Sequence, residues 1–113
     1  MSLGPEHRLA VYGTLAPGRS NHHQLAGLAG DWTHGVVRGE RLAAGWGAGV
    51  GYPGLRLDPQ GAEVAVQVFT SPDLPAHWAR LDAFEGADYR RALARVQGAD
   101  GGEVEAFIYV IAS

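Results

Sequence analysis

The alternation of apolar and polar residues is clearest over residues 63–69, where Val64, Val66 and Val68 fall on one face. A period of two predicts a strand with one buried face. Shorter apolar segments that are bounded by glycine, proline or aspartate predict further strands. These segments are 8–12, 32–42, 55–57, 89–97 and 103–111, and the last two are joined by a glycine-rich hairpin connection.

Helical spacing replaces this alternation after the segment Pro72–Pro75. The predicted apolar stripe consists of Leu74, Trp78, Leu81 and then Phe84 or Glu85. Gly86 is a natural stop for this helix. A second short helix is predicted over residues 22–26, with Ser20 or Asn21 as its N-cap.

The order of these elements predicts the fold class. Strands and helices do not alternate one for one, which favours an α+β fold over a doubly wound parallel sheet. We expect a small mixed β-barrel of about six strands with two or more short flanking helices, as a single domain over residues 1–113. The segment 45–54 has five glycines in ten positions and is predicted to be a surface loop or a lid. A dinucleotide-binding motif would need a third glycine where Tyr52 stands.

The composition excludes several kinds of chemistry. The 113 residues include no cysteine and no lysine, which excludes disulfides, thiolate metal sites, a cysteine nucleophile and Schiff-base catalysis. The nine cationic residues are scattered arginines and the net charge is −3, so no nucleic-acid partner is expected. No apolar run approaches the roughly 18 residues that span a bilayer, which predicts a cytoplasmic protein without a membrane partner. The oligomeric state is left open.

Metal and serine chemistry are also not expected. No pair of the five histidines has the i, i+4 spacing of a helical zinc site, so we predict no metal and no other cofactor. Ser20 and Ser71 lie in no Gly-x-Ser-x-Gly motif.

The first candidate site is Tyr12-Gly13-Thr14-Leu15, where a buried strand ends at a glycine. Free backbone N–H groups in such a turn can bind a carboxylate or an oxyanion, and the Thr14 hydroxyl adds a donor. A plain strand-to-loop turn would have the same residues, so the pattern alone leaves both interpretations open.

The second candidate is Glu85, near the predicted end of the helix. A helix C-terminus favours cations, yet this one carries Asp82 and Glu85. If Glu85 continues the apolar stripe, burial would raise its pKa and suit it to proton transfer near neutral pH. A solvated glutamate at a frayed helix end is the alternative.

Several segments, in order along the chain, resemble the gamma-glutamylcyclotransferase-like family, and in particular its gamma-glutamylamine cyclotransferase branch. They are Leu9–Gly18 with its Tyr-Gly-Thr-Leu motif, Asn21-His22, Tyr52-Pro53-Gly54, Leu81–Gly86, and Tyr89-Arg90. The resemblance implies a compact mixed barrel with a cavity whose floor is Tyr12–Leu15. It also implies that this loop binds the glutamyl part of the substrate and that Glu85 transfers the proton.

The implied reaction is a cyclisation that needs no cofactor. The α-amine of a small γ-glutamyl compound attacks its own γ-carbonyl, which releases 5-oxoproline and an amine. Many members of the family have a glycine and an acidic residue in the strand before the catalytic helix, where this chain has Val66-Gln67. Because Val66 would narrow the cavity, two functions stay open: a cyclotransferase whose leaving amine is unidentified, and a non-catalytic carboxylate-binding module on the same fold.

Overall fold

Six strands in one sheet form the frame of the molecule. The computed structural model describes residues 4–12, 25, 27–42, 54–86 and 89–111. The strands are β1 (Arg8–Val11), β2 (Asp31–Leu42), β3 (Gly54–Leu57), β4 (Ala62–Thr70), β5 (Tyr89–Gly98) and β6 (Glu103–Ile111). A 3-10 turn (Pro5–His7) precedes β1, and a second one (Leu74–Ala76) and the helix α1 (Trp78–Glu85) lie between β4 and β5.

Five of these strands close into a barrel. The strand order is β3-β2-β4-β1-β6-β5, and β5 pairs back onto β2 at Gly35 and Val36. All pairs are antiparallel except β1 with β6, which is parallel. The extra strand β3 pairs with residues 39–42 of β2, beyond the point where β5 joins that strand. The predicted mixed β-barrel of the α+β class is thereby confirmed.

Buried side chains form two clusters on the two faces of the sheet. The inner cluster fills the barrel with small and β-branched residues, and Val64, Val66 and Val68 of β4 all belong to it, as their alternation predicts. The outer cluster lies between the sheet and α1. It consists of Leu9, Val11, Leu25, Phe69, Leu74, Trp78, Leu81 and Tyr109.

The helix differs from its prediction at the start and agrees with it at the end. The expected helix opening at Pro72–Pro75 is wrong, because Leu74–Ala76 form a 3-10 turn before the α-helix begins. The N–H of His77 donates to the carbonyl oxygen of Leu74 at 2.8 Å, and α1 begins one residue later. The helix ends at Glu85, and Gly86 follows with a φ of 86°.

The position of Glu85 settles which residue continues the apolar stripe. Trp78 and Leu81 are buried in the outer cluster, whereas Phe84 is 38% exposed. Glu85 is half-buried. The stripe therefore runs into Glu85.

Other sequence predictions concern parts of the chain that the structure does not describe. The predicted helix over 22–26 lies outside the described residues apart from Leu25, and the predicted loop 45–54 lies outside them apart from Gly54. Within the described part, no helix is long and apolar enough to cross a membrane. The single-domain organisation over residues 1–113 stays a prediction.

Candidate functional site

The ends of four secondary-structure elements lie near the predicted site residues. Tyr12 directly follows β1, and Glu85 is the last residue of α1. Tyr89 begins β5 opposite Ile111, the last residue of β6. Of the four residues in the predicted binding loop, Gly13, Thr14 and Leu15 lie outside the described residues.

Tyr12 connects the end of β1 with β6. Its hydroxyl donates a hydrogen bond to the carbonyl oxygen of Tyr109 at 2.7 Å, and its ring packs against the inner cluster. Burial raises the pKa of Tyr12 well above its usual range, and the neighbouring Tyr89 and Glu85 raise it further, while the Arg41 cation lowers it. The side chains of Tyr89, Glu85 and Arg41 therefore lie within electrostatic range of the Tyr12 hydroxyl.

Glu85 has an environment that suits proton transfer. Burial raises the pKa of its carboxyl group to about 7. No hydrogen bond or ion pair joins this carboxylate to another residue in the described ranges. A carboxyl group with this pKa is present in both protonation states near neutral pH, so it can accept a proton and return it.

Asp82, by contrast, has three hydrogen bonds to residues of the sheet. The Asp82 carboxylate accepts a hydrogen bond from the Tyr109 hydroxyl at 2.6 Å and two from the Arg91 guanidinium at 3.0 and 3.3 Å. The two acidic residues at the end of α1 therefore differ: the sheet holds the Asp82 carboxylate, while the Glu85 carboxyl group has no such partner among the described residues.

Arg41 is a residue of this region that the sequence analysis missed. It lies opposite Leu55 in the β2–β3 pairing, and Leu55 belongs to the inner cluster. Directly opposed residues of an antiparallel pair share a face, so Arg41 lies on the face that forms the barrel interior, at an exposed position near the end of β2. Alternation from the buried Val37 through Gly39 to Arg41 is the signal that could have found it.

Val66, at which this chain departs from the family it resembles, lies in the barrel interior. Val66 is 4% exposed and belongs to the inner cluster, against which Tyr12 also packs. It pairs with Gly35 of β2, and its neighbour Gln67 pairs with Val11 of β1. The valine therefore fills interior volume on the same side of the sheet as Tyr12.

In the described part of the chain, neither a metal-binding cluster nor the surface groove belongs to this region. Within the described ranges, no three His, Cys, Asp or Glu side chains come together in a way that could hold a metal ion. A groove of about 350 Å³ between β2, β3 and β5 is lined by Val36, Leu57 and Leu93 among others, and neither Tyr12 nor Glu85 lines it.

Comparison with known proteins gives one family and a common fold. Among solved structures, YkqA from Bacillus subtilis has a TM-score of 0.71 and 28% identity, and the match covers 93% of this chain but only 35% of YkqA. An AIG2-like protein from Mus musculus has a TM-score of 0.71 and 24% identity over 94% of this chain and 77% of its own. A protein from Arabidopsis thaliana has a TM-score of 0.70 and 24% identity over 93% and 61%.

The mouse and plant structures show the fold alone, because their identities lie below 25%. A search of curated protein sequences found no significant match. The family model described as "Gamma-glutamyl cyclotransferase, AIG2-like" matches residues 9–113, which is nearly the whole chain. The chain therefore belongs to the AIG2-like gamma-glutamyl cyclotransferase family.

Proposed function

We propose that this protein is a γ-glutamyl cyclotransferase that converts a small γ-glutamyl amine, or a related γ-glutamyl compound, into 5-oxoproline and a free amine. One observation carries the proposal most: the half-buried Glu85 has a pKa of about 7 and lies within electrostatic range of Tyr12. Tyr12 is the first residue of the segment expected to bind the glutamyl group. Membership of the family supports the same reaction type.

The reaction needs one proton carrier and a fixed substrate conformation. The α-amine nitrogen attacks the γ-carbonyl carbon, so a new C–N bond closes the five-membered ring and the C–N bond to the leaving amine breaks. Glu85 accepts the proton that the attacking amine loses and delivers it to the leaving amine, so the carboxylate is regenerated. Because nucleophile and electrophile belong to one molecule, holding it in the attack geometry supplies much of the rate enhancement.

The binding residues in this proposal come from the loop after β1 and from the end of β2. The N–H groups of Gly13, Thr14 and Leu15 bind the substrate and the oxyanion that develops on the γ-carbonyl oxygen. The Arg41 cation favours the approach of the substrate carboxylate. This division of roles leaves Glu85 free for proton transfer.

A carboxylate-binding module without turnover is the second candidate function. The observation that favours it is the burial of Val66 in the inner cluster, against which Tyr12 also packs, because a valine occupies volume that a glycine would leave open. Such a module would bind 5-oxoproline or a γ-glutamyl compound and release no product.

Replacement of the proposed proton carrier tests the enzyme function. In the variant Glu85→Gln, the rate of 5-oxoproline release from a panel of γ-glutamyl amines and γ-glutamyl amino acids should fall at least about 100-fold, since general acid–base catalysis is lost. Glu40→Gln is a matched control, because Glu40 is an exposed residue that pairs with Arg56 on β3. Its turnover should equal that of the wild type.

Two outcomes would contradict the enzyme proposal. Unchanged turnover in Glu85→Gln would remove Glu85 as the proton carrier. Thermal shifts with the substrate panel, together with no product from the wild-type protein, would favour the binding module.

A further inference from the structure

Tyr109 on β6 contacts both halves of the proposed site. Its main-chain carbonyl oxygen accepts the hydrogen bond of the Tyr12 hydroxyl, at 2.7 Å. Its own hydroxyl donates to Asp82, one turn before Glu85 in α1, at 2.6 Å. Tyr109 thus connects β1, which leads into the proposed binding loop, with α1, which contains the proposed proton carrier Glu85.

We propose that Tyr109 and Asp82 are positioning residues that hold Glu85 toward Tyr12 during proton transfer. This inference rests on the proposed function, because it assigns a role within the same reaction. Neither residue touches the reacting atoms in this proposal, and both act through the last turn of α1.

The short length of α1 is the first reason. A helix of eight residues is unstable on its own and takes its stability from tertiary contacts. Residues three apart in a helix are neighbours on its surface, so an anchor at Asp82 acts directly on the turn that ends with Glu85. The N–H of Gly86 also donates to the Asp82 carbonyl oxygen at 3.1 Å, so the main chain of Asp82 closes this turn.

The second reason is the rigidity of the anchor itself. The guanidinium of Arg91 lies 4.5 Å from the centre of the Trp78 ring and 4.8 Å from that of Phe107 while it pairs with Asp82. The indole N–H of Trp78 donates to the carbonyl oxygen of Glu6 at 2.9 Å. Both ends of α1 are therefore attached to the rest of the fold.

The third reason is the electrostatic environment of Glu85. Tyr12, which follows β1, and Tyr109 on β6 both lie within electrostatic range of Glu85. Asp82 and Arg91 neutralise each other one turn away. Burial is what raises the Glu85 pKa, so any loosening of the last turn should hydrate the carboxyl group and lower that pKa.

The variant Tyr109→Phe tests this role, because it removes one hydroxyl group and keeps the carbonyl group that Tyr12 contacts. We expect kcat to fall about 10-fold with little change in KM, since misplacement of a catalytic group weakens the chemical step more than binding. The acid limb of the pH profile of kcat should move to lower pH. A carbon NMR titration should find the Glu85 pKa below 7, closer to its ordinary value of 4.5.

The variant Asp82→Asn tests the partner of Tyr109. It keeps an acceptor for the Tyr109 hydroxyl but weakens the pair with Arg91, so we expect a similar loss of kcat. The double variant should be about as slow as the slower single variant and not slower by the product of both losses, because the residues act as one unit. Asp73→Asn is the matched control, since Asp73 accepts a hydrogen bond from the N–H of Ala29 on the exposed surface.

Unchanged kcat and an unchanged Glu85 titration in Tyr109→Phe would overturn the inference. The inference would also be overturned if activity fell only in proportion to the folded fraction, while the acid limb and the Glu85 pKa stayed as in the wild type. Tyr109 would then be a structural residue. The NMR titration needs no turnover. An inactive wild-type protein would therefore contradict the proposed function, while the titration would still decide whether Tyr109 and Asp82 position Glu85.

Discussion

Glu85 combines an ionisable group with a position at which the helix would normally carry an apolar side chain. The apolar stripe of α1 continues into it, and burial raises the carboxyl pKa from 4.5 to about 7. Between these two pH values the folded protein binds a proton at Glu85 that the unfolded chain does not bind. Stability therefore falls as the pH rises from 4.5 to 7, and above 7 the full penalty is present.

This linkage predicts that Glu85→Gln is more stable than the wild type at pH 8, where the buried charge is absent from the variant. The difference in the free energy of unfolding should reach up to about 3 kcal/mol at pH 8 and become small near pH 4.5. Urea denaturation at both pH values measures it. Equal stabilities at pH 8 would contradict the burial of a charged Glu85, and the exposed Glu40→Gln should be insensitive to this pH change.

Individual residues differ in how far the sequence predicts them. Glu85 could be found, because helical spacing is a local signal and places it on the buried face. Tyr109 could not, because nothing near it in sequence indicates that its hydroxyl meets Asp82 and its carbonyl meets Tyr12. Arg41 was missed for a different reason: alternation from Val37 through Gly39 places it on the inner face, but a charged residue at an exposed strand end does not by itself indicate that face.

At the scale of elements, the end of α1 depends on one glycine. Gly86 has a φ of 86° and a ψ of −178°, a backbone conformation that only glycine adopts readily. No atom of the described residues lies within 4 Å of the position that a Cβ atom would take there, so the methyl group of an alanine would meet none of them. The cost of replacing Gly86 is therefore purely conformational.

Gly86→Ala should lower the free energy of unfolding by about 1–3 kcal/mol, the typical cost of such a backbone conformation for a residue with a Cβ atom. Gly27→Ala is a suitable control, because its Cβ would also meet nothing within 4 Å and its φ is not in the positive range. Chemical denaturation of both variants measures the difference. A Gly86→Ala protein as stable as Gly27→Ala would contradict this account of the helix end.

The strands were predictable to within one or two residues, because alternation is strong in a barrel with a filled interior and a face covered by a helix. The predicted segment 103–111 is β6, and 89–97 extends by one residue in β5. The start of the helix was harder to predict, because Pro72 and Pro75 are compatible with both a 3-10 turn and an α-helical first turn. The strand order depends on contacts between distant segments, and so does the pairing of both β3 and β5 with the same edge of β2. Local sequence patterns therefore do not predict either.

At the scale of the whole molecule, the net charge opposes the approach of a substrate carboxylate. The net charge is −3, and Glu85 adds a negative charge to the site when it is ionised. Arg41 partly offsets this, because its positive charge lies within electrostatic range of Tyr12. The local potential near the end of β2 thus differs from that of the molecule as a whole.

Arg41→Ala should therefore raise KM for a γ-glutamyl substrate about 5-fold with kcat little changed, which corresponds to roughly 1 kcal/mol of charge interaction near a surface. The difference from the wild type should shrink as salt is added. Arg56→Ala is the matched control, because Arg56 lies next to Leu55 on β3 but pairs with the exposed Glu40. Equal KM values for Arg41→Ala and Arg56→Ala would contradict a role for the Arg41 cation.

The hydrogen bond between Tyr12 and Tyr109 joins residues 97 positions apart in the sequence. Contacts of this separation form slowly, because a long loop must close before they are made. The parallel pairing of β1 with β6 brings the two residues together, so a partly folded chain in which β6 is still unpaired would have neither this bond nor the Asp82 anchor. Activity of this protein should therefore report on completion of the whole barrel, and recovery of turnover during refolding should lag behind the pairing of β2 with β4.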